Sequence, residues 1–263
     1  MDLGLKDKIA FVAAASRGLG AATARQLACE GAKVAINSRD AVKLNATAES
    51  IRKESGAQVI AIPGDVMSPA DIERMIGETV KQFGGLDILV TNSGGPPAGR
   101  FDDFDDAAWR KATDLMLMCA VRMIRAALPH LRKSKAASVL TITSLSTKQP
   151  LANLVLSNSI RMAVIGLTKS LALELGNEGI RFNSILPAFT ETERIVELMT
   201  DRAKRTGTTV EEEIKKQAAS SPFGRMGTPG EFGNAAAFLC SPAASYLTGV
   251  MLSVDGGMYK GTL

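Results

Sequence analysis

The stretch Ser144–Arg161, SLSTKQPLANLVLSNSIR, joins an apolar segment to a long helical pattern, and the interpretation of the whole chain starts from it. The segment SVLTITS, which leads into it, has the β-branched and small hydroxyl residues of a buried strand. Beyond Pro150 the pattern becomes helical, and Ser157 and Arg161 lie four residues apart, on one helix face. A serine at a strand end, opposite a hydroxyl and a cation, predicts a site that polarises a carbonyl group.

On both sides of this stretch, apolar strands alternate with helical patterns along the chain. The predicted strands are, in order, KIAFVAA, AKVAINS, AQVIAIPGD, LDILVTNSGG, ASVLTITS, GIRFNSILP and GVMLSVDGG. This alternation predicts an α/β fold with a doubly wound, seven-stranded parallel sheet and helices on both faces. We expect a single domain over residues 1–263, with a charged helical insertion at about 190–220 near the substrate cleft.

Composition excludes several classes of function. The mild net charge of +4 is not gathered into a basic stripe with aromatic residues, so no nucleic-acid partner is expected. No apolar run reaches the ~18–20 residues of a membrane span, and the first ten residues lack the apolar core of a signal peptide, which predicts a cytoplasmic protein without a membrane partner. His130 is the only histidine, and Cys29, Cys119 and Cys240 are expected to be buried in helices, so no metal site is predicted.

The turn between the first strand and the first helix reads AAASRGLG over residues 13–20. Glycines at such a turn let the backbone approach a pyrophosphate, and the helix N-terminus offers unpaired N–H groups to it. Gly18 and Gly20 alone would also fit simple packing of a helix on a strand. Their position directly after the first strand favours a nucleotide site.

Taken together, these motifs make the chain similar to the short-chain dehydrogenase/reductase family, in its 3-oxoacyl-(acyl-carrier-protein) reductase-like branch, over nearly the whole length. The resemblance implies a Rossmann domain that binds NAD(P) and an oxidoreductase acting on a carbonyl/alcohol pair. The family's glycine-rich turn is G-x-x-x-G-x-G, and Ala14 replaces its first glycine. The extra methyl group fits there if Ala14 has a negative φ.

The resemblance also implies which residues bind the cofactor. Arg39 stands near the end of the second strand, where NAD-dependent relatives carry an acidic residue. With Arg17 it supplies two cations for a 2′-phosphate, which favours NADP (NADPH), although two plain surface arginines are the alternative. The complete implied set is Ala14, Ser16, Arg17, Gly18, Leu19, Gly20, Ser38, Arg39, Asp65, Val66, Asn92, Ser93, Gly94, Arg161, Pro187 and Thr190.

The catalytic motif departs from the family pattern. Where the resemblance implies Tyr and Lys, this chain has Ser157 and Arg161, and Met116 stands at the position of an Asn; only Ser144 is retained. A serine hydroxyl is a much weaker acid than a phenol, and a guanidinium does not relay protons. Lys148, four residues after Ser144, or a water held by Ser144 is therefore the expected proton donor, unless Lys148 is only an exposed loop residue.

Three hypotheses follow from a matching cofactor motif combined with an altered catalytic motif. The first is an NADP-dependent oxidoreductase acting on a small-molecule carbonyl or alcohol, with Ser157 and Arg161 in place of the usual Tyr and Lys. The second is a catalytically silent NADP(H)-binding sensor or scaffold of the same fold, and the third is an elimination or isomerisation without net redox chemistry. The resemblance further implies a homotetramer, with a homodimer as the alternative.

Overall fold

The computed structural model describes residues 1–262. Its centre is a parallel sheet in the order β3-β2-β1-β4-β5-β6-β7. The strands are β1 Ile9–Val12, β2 Lys33–Ser38, β3 Val59–Pro63, β4 Ile88–Thr91, β5 Ser138–Ile142, β6 Arg181–Pro187 and β7 Met251–Val254. The predicted seven-stranded, all-parallel sheet is confirmed.

Helices cover both faces of the sheet. They are α1 Gly18–Cys29, α2 Ala41–Ser55, α3 Pro69–Phe83, α4 Asp106–Thr113, α5 Cys119–Leu131, α6 Val155–Leu175, α7 Glu193–Thr206, α8 Val210–Ala219 and α9 Pro229–Cys240. One core cluster joins α1, α2 and α9 to one face, through side chains such as Leu27, Leu44 and Phe232. The other joins α3 and α5 to the opposite face, through side chains such as Met75 and Met123.

Local sequence signals fix several helix ends. Ser68 caps α3 by accepting a hydrogen bond from the backbone N–H of Asp71, and Pro69 occupies the first turn. Asp105 caps α4 in the same way. Between α4 and α5 the segment Asp114–Met118 is a π-helical turn, so Met116 is displaced within an otherwise continuous helix.

The order of the strands positions the site. Successive strands build the sheet outward from β1 to β3 on one side and from β4 to β7 on the other, so β1 and β4 are central neighbours. Loops that leave the carboxyl ends of these two strands diverge to opposite faces, and the crevice between them is where such sheets bind ligands. The residues after β1, β4, β5 and β6 therefore converge at one edge.

One expectation about an individual side chain was wrong. Cys29 lies at the exposed end of α1, because its position is the last of the helix, whereas Cys119 and Cys240 are buried. Within the charged insertion, Glu213 is 3% exposed because it turns inward between α8 and α7 and pairs with Lys216 at 2.9 Å and with Arg202 at 3.8 Å. None of the helices found within residues 1–262 is long and apolar enough to cross a membrane.

Candidate active site

The glycine-rich turn after β1 is built around two residues in the left-handed region. Gly18 has a φ of +59°, and Ala14 has a φ of +48°. The negative φ that would accommodate Ala14 without strain is therefore not adopted, because the chain must reverse direction between β1 and α1. Gly20 packs so closely that a Cβ there would lie 2.5 Å from the carbonyl oxygen of Ala14. Only glycine fits at that position.

The first turn of α1 fits a phosphate group. Arg17 precedes the helix in an extended conformation, its side chain does not cap the helix, and no acidic residue lies in the first turn. The backbone N–H groups of that turn therefore have no side-chain acceptor, and the helix dipole adds positive potential. On the far side of the crevice, Gly94 has open space where a side chain would project.

Two asparagines hold the strand ends that form this turn. The side chain of Asn92 donates to the carbonyl oxygen of Ala14 at 3.3 Å, which ties the end of β4 to the end of β1. The side chain of the fully buried Asn37 donates to the carbonyl oxygen of Gly64 at 2.9 Å, and the backbone carbonyl of Asn37 accepts from the N–H of Ala15. The family resemblance placed Asn92 at the cofactor site, whereas sequence reasoning missed Asn37, whose only signal was an amide inside an apolar strand.

The two arginines expected at a 2′-phosphate differ in their surroundings. The guanidinium of Arg17 forms an exposed ion pair with Glu197 of α7 at 3.2 Å. The side chain of Arg39 is exposed and forms no hydrogen bond or ion pair with any part of the chain that the structure describes. Arg194 links α7 to the loop after β4, since it donates to Pro96 at 3.0 Å. The start of α7 thus lies across the crevice.

The segment after β3 contains the residues expected to contact the adenine. Asp65 accepts a hydrogen bond from the N–H of Met67 through one carboxylate oxygen, Oδ1. Its own N–H donates to Asp71, and this bond is the main reason that the pKa of Asp71 lies below its ordinary value. Val66 is buried beside it in the core. Asp65 therefore has a fixed position, and its second carboxylate oxygen accepts no hydrogen bond from residues 1–262.

Arg161 lies at the floor of the crevice and connects α6 to β5. Its Nε donates to the hydroxyl of Ser157 at 3.2 Å, and its Nη1 donates to the carbonyl oxygens of Ile142 at 3.2 Å and Thr143 at 3.0 Å. Burial lowers the pKa of Arg161 to about 10, with a smaller contribution from the charge of Arg194. The guanidinium still carries its charge at neutral pH. Nη2 makes no hydrogen bond to the described chain.

Cys119 is the other ionisable group near Arg161. It is buried, and its thiol donates to the carbonyl oxygen of Leu115 at 2.7 Å. Burial raises the pKa of Cys119 to about 11, so the group is a neutral thiol at neutral pH. Met116, at the position where the family resemblance implies an asparagine, is buried against Leu156 and Ile160 of α6. Neither residue offers a proton relay.

Ser144 and Lys148 begin and end the turn that follows β5. The hydroxyl of Ser144 accepts from the N–H of Ser146 at 3.1 Å, which leaves its proton available to an acceptor in the crevice. Lys148 is half-buried, and its Nζ lies 5.1 Å from the centre of the Tyr259 ring. The exposed surface lysine that sequence allowed as an alternative is not observed.

The loops after β5 and β6 border two cavities. One, of about 540 Å³, lies between the loops after β4 and β5 and includes Arg100 and Asn153. The other, of about 300 Å³, lies under the charged insertion and includes Thr190, which is itself buried and bridges to Gly227. Pro187, at the end of β6, pairs with Val254 of β7. The structure thus places the predicted residues around a single edge of the sheet.

Comparison with known proteins agrees with this geometry. Residues 13–259 match the family described as enoyl-(acyl carrier protein) reductase. Dehydrogenase/reductase SDR family member 4 of Sus scrofa is 34% identical, covering 96% of this chain and 88% of the relative. The 3-oxoacyl-(acyl-carrier-protein) reductase FabG of Staphylococcus aureus strain Mu50 is 35% identical, covering 96% of this chain and 98% of the relative.

Solved structures give the same result. L-sorbose reductase from Gluconobacter frateurii, complexed with NADPH and L-sorbose, superposes with a TM-score of 0.94 at 30% identity over 99% of this chain and 100% of that one. Actinorhodin polyketide ketoreductase with NADPH superposes with a TM-score of 0.92 at 28% identity, covering 98% of each chain.

The fold and the crevice define an NAD(P)-dependent oxidoreductase of the Rossmann type. The chain belongs to the short-chain dehydrogenase/reductase family.

Proposed function

We propose that this protein is an NADPH-dependent reductase that converts a small-molecule carbonyl compound into the alcohol. The observation that carries the proposal is the crevice between β1 and β4, where an uncapped helix N-terminus and the unpartnered Arg39 lie at the same edge of the sheet. A cofactor with a 2′-phosphate would satisfy both. The NADPH named for the L-sorbose reductase and the polyketide ketoreductase supports the same choice.

Different residues would bind different parts of the cofactor. The turn around Gly18 and Gly20, with Ser16 and Leu19, would hold the pyrophosphate, and Ser38 with Arg39 would hold the adenosine ribose and its 2′-phosphate. Asp65 and Val66 would contact the adenine, and Asn92, Ser93 and Gly94 the ribose beyond it. Pro187 and Thr190 would contact the nicotinamide side. When bound, the cofactor supplies a hydride.

Arg161 would take over the binding of the nicotinamide ribose. Its Nε and Nη1 are held by Ser157 and by the end of β5, so its Nη2 is left for the ribose hydroxyls. Ser157 is an aliphatic alcohol, a much weaker acid than a phenol, and would not act as the acid. Ser144 would then donate its hydroxyl proton as a hydrogen bond to the substrate oxygen, where negative charge develops during reduction.

Turnover with two carbonyl probes tests this proposal. NADPH oxidation is followed at 340 nm with acetoacetyl-CoA and with L-sorbose, chosen after the named relatives. We expect Ser144→Ala to lower kcat/KM about 10²-fold, as for the loss of one oxyanion donor. Ser159→Ala, on the exposed side of α6, is the matched control and should keep wild-type activity. NADPH binding without turnover of either probe would instead favour the silent sensor or scaffold.

We further propose a homotetramer, or failing that a homodimer, working in the cytoplasm. Large apolar side chains are exposed on α6, where Met162 is 49% and Leu173 is 76% exposed, and on β7, where Met251 is 44% exposed. Faces of this kind are suited to association between subunits. The three cysteines are free, which suits a reducing compartment. Light scattering on the purified protein tests the assembly, and a monomer at micromolar concentration would contradict it.

A further inference from the structure

The segment after β7 brings a tyrosine beside the turn that follows β5. The chain has two tyrosines, and they lie in different surroundings. Tyr246 is fully exposed at 101%, whereas Tyr259 is half-buried with its ring 5.1 Å from Nζ of Lys148. Lys148 ends the turn that begins with Ser144. The phenol of Tyr259 therefore lies beside the same turn that carries Ser144.

The sheet accounts for this approach. β7 pairs with β6, and β6 pairs with β5, so the ends of β5 and β7 are two strand spacings, about 10 Å, apart. The five Cα–Cα steps from Val254 to Tyr259 span at most about 18 Å, which is enough to cross the end of β6. Gly256 and Gly257 turn the chain at φ values of +60° and +79°, and Asp255 accepts from the N–H of Tyr259 at 2.9 Å.

The ring is held on two sides. Lys148 lies over one face, and the chain returns at Gly261, where a methyl group would collide with the Tyr259 hydroxyl. The neighbouring Met258 lines the cavity of about 300 Å³ that also contains Thr190. Tyr259 therefore lies between the loop after β5 and the loop after β6, the two loops that face the nicotinamide side in the proposed function.

Tyr259 and Lys148 together provide the phenol and the ammonium group that positions 157 and 161 lack. Ser157 is an aliphatic alcohol, a much weaker acid than a phenol, so it is a poor proton donor. The phenol of Tyr259 is a suitable donor because a phenol is a much stronger acid than an aliphatic alcohol, and Lys148 lies over its ring and can hold it in place. We propose that Tyr259 is the general acid of this reductase and that Lys148 is its positioning residue. The inference rests on the proposed carbonyl reduction.

The carbonyl carbon gains the hydride supplied by the reduced nicotinamide, and the π electron pair moves to the carbonyl oxygen. That oxygen takes the proton of the Tyr259 hydroxyl, while Ser144 donates a hydrogen bond to it. The O–H bond of Tyr259 breaks, and the phenolate regains a proton from water. The carbonyl compound is reduced, the nicotinamide is oxidised, and one proton is consumed from solvent.

Kinetics of matched variants test the pair. Tyr259→Phe keeps the ring over Lys148 and removes only the hydroxyl, so we expect kcat and kcat/KM with the reducible probe to fall together by ~10²–10⁴. The Kd for NADPH should stay within twofold. Lys148→Met should lower kcat, and Lys148→Arg should restore part of it because the charge returns. Tyr246→Phe is the control and should behave as wild type.

Nitration gives a readout that does not depend on turnover. Tetranitromethane is applied to the wild-type protein with and without saturating NADP⁺, and each tyrosine is followed by peptide mass spectrometry. We expect NADP⁺ to slow nitration of Tyr259 at least fivefold and to leave Tyr246 unchanged.

Two results would overturn the assignment of Tyr259: a Tyr259→Phe variant that keeps kcat within twofold of wild type, or bound NADP⁺ that leaves Tyr259 unprotected. Wild-type protein that binds NADP⁺ but reduces neither carbonyl probe would overturn the proposed function and this step with it. The two failures are therefore distinguishable, since the first leaves wild-type turnover intact.

Discussion

The guanidinium of Arg161 donates through Nε to the hydroxyl of Ser157 at 3.2 Å and through Nη1 to two carbonyl oxygens at the end of β5. The two residues that replace the family's acid–base pair are therefore joined to each other. Arg161 connects α6 to the sheet, so this position supports the fold as well as the crevice. Proton donation is left to other groups.

The first prediction concerns this connection. Arg161→Met leaves the carbonyl oxygens of Ile142 and Thr143 without their donor, and each unpaired buried group costs about 1–3 kcal/mol. We expect the free energy of unfolding to fall by about 2–4 kcal/mol, measured by urea denaturation. The control Arg110→Met removes an exposed helix pair and should change it by less than about 0.5 kcal/mol. Equal effects of the two variants would contradict the structural role of Arg161.

The second prediction concerns strain at Ala14. Since its φ is +48°, glycine should be favoured there by about 1 kcal/mol, and Ala14→Gly should raise the melting temperature. Ala46→Gly, made at an exposed position within α2, should lower stability by about 0.5–1 kcal/mol. Calorimetry of both variants shows whether their melting temperatures change in opposite directions. A loss of stability in both would show that Ala14 is not strained.

The third prediction concerns cofactor choice. Arg39 has no partner within residues 1–262, so we expect it to bind the 2′-phosphate. Loss of a charged hydrogen bond of about 1.5–3 kcal/mol corresponds to a 10–100-fold weaker Kd. Arg39→Ala should weaken NADPH binding by this factor and leave NADH binding unchanged, whereas Lys53→Ala, at the far end of α2, should affect neither. An equal loss for both cofactors would exclude the 2′-phosphate role.

The fourth prediction concerns the ion pair between Arg17 and Glu197. Both side chains are exposed, so the pair contributes about 0.2–1 kcal/mol. Glu197→Gln frees Arg17 for the cofactor phosphates, and NADPH should bind about two- to fivefold more tightly at low salt. Glu193→Gln removes the same charge from the first turn of α7 and serves as the control. Equal tightening in both variants would indicate a general charge effect.

The fifth prediction concerns acid stability. The hydrogen bond from Arg225, with a further bond from the N–H of Thr228, lowers the pKa of Glu231 to about 2. A carboxylate with a lowered pKa stabilises the fold above its unfolded pKa of about 4.3 and loses that contribution as pH falls toward 2. Glu231→Gln should flatten the fall in stability between pH 5 and pH 2.5, measured by urea titration. The exposed Glu211→Gln should leave the slope as in wild type.

The fold was predictable because its signals are local. The seven apolar segments identify the strands, and Ser68, followed by Pro69, marks the start of a helix without any tertiary information. The position of the cofactor crevice follows from the same order of elements, since the glycine-rich turn comes directly after the first strand. The location of Asn92 at this crevice was also predictable, because the residues around it directly follow the fourth strand.

The remaining features depend on contacts between distant segments. The φ of Ala14 is imposed by the reversal of chain direction between β1 and α1, and no residue near it in the sequence indicates this conformation. Glu213 turns inward because α7 lies opposite, and the pairing of Arg17 with Glu197 joins residues 180 positions apart. Tyr259 reaches Lys148 only because β7 is placed two strands from β5. Periodicity carries no information on any of these.

The most direct test of the central claim is a fluorescence titration of the purified, cofactor-stripped protein with NADPH, run beside one with NADH. We predict saturable binding of NADPH at least tenfold tighter than that of NADH, because Arg39 contacts a phosphate that NADH lacks. Failure to bind either nucleotide would contradict the assignment of the crevice as a cofactor site, and with it the proposed reductase.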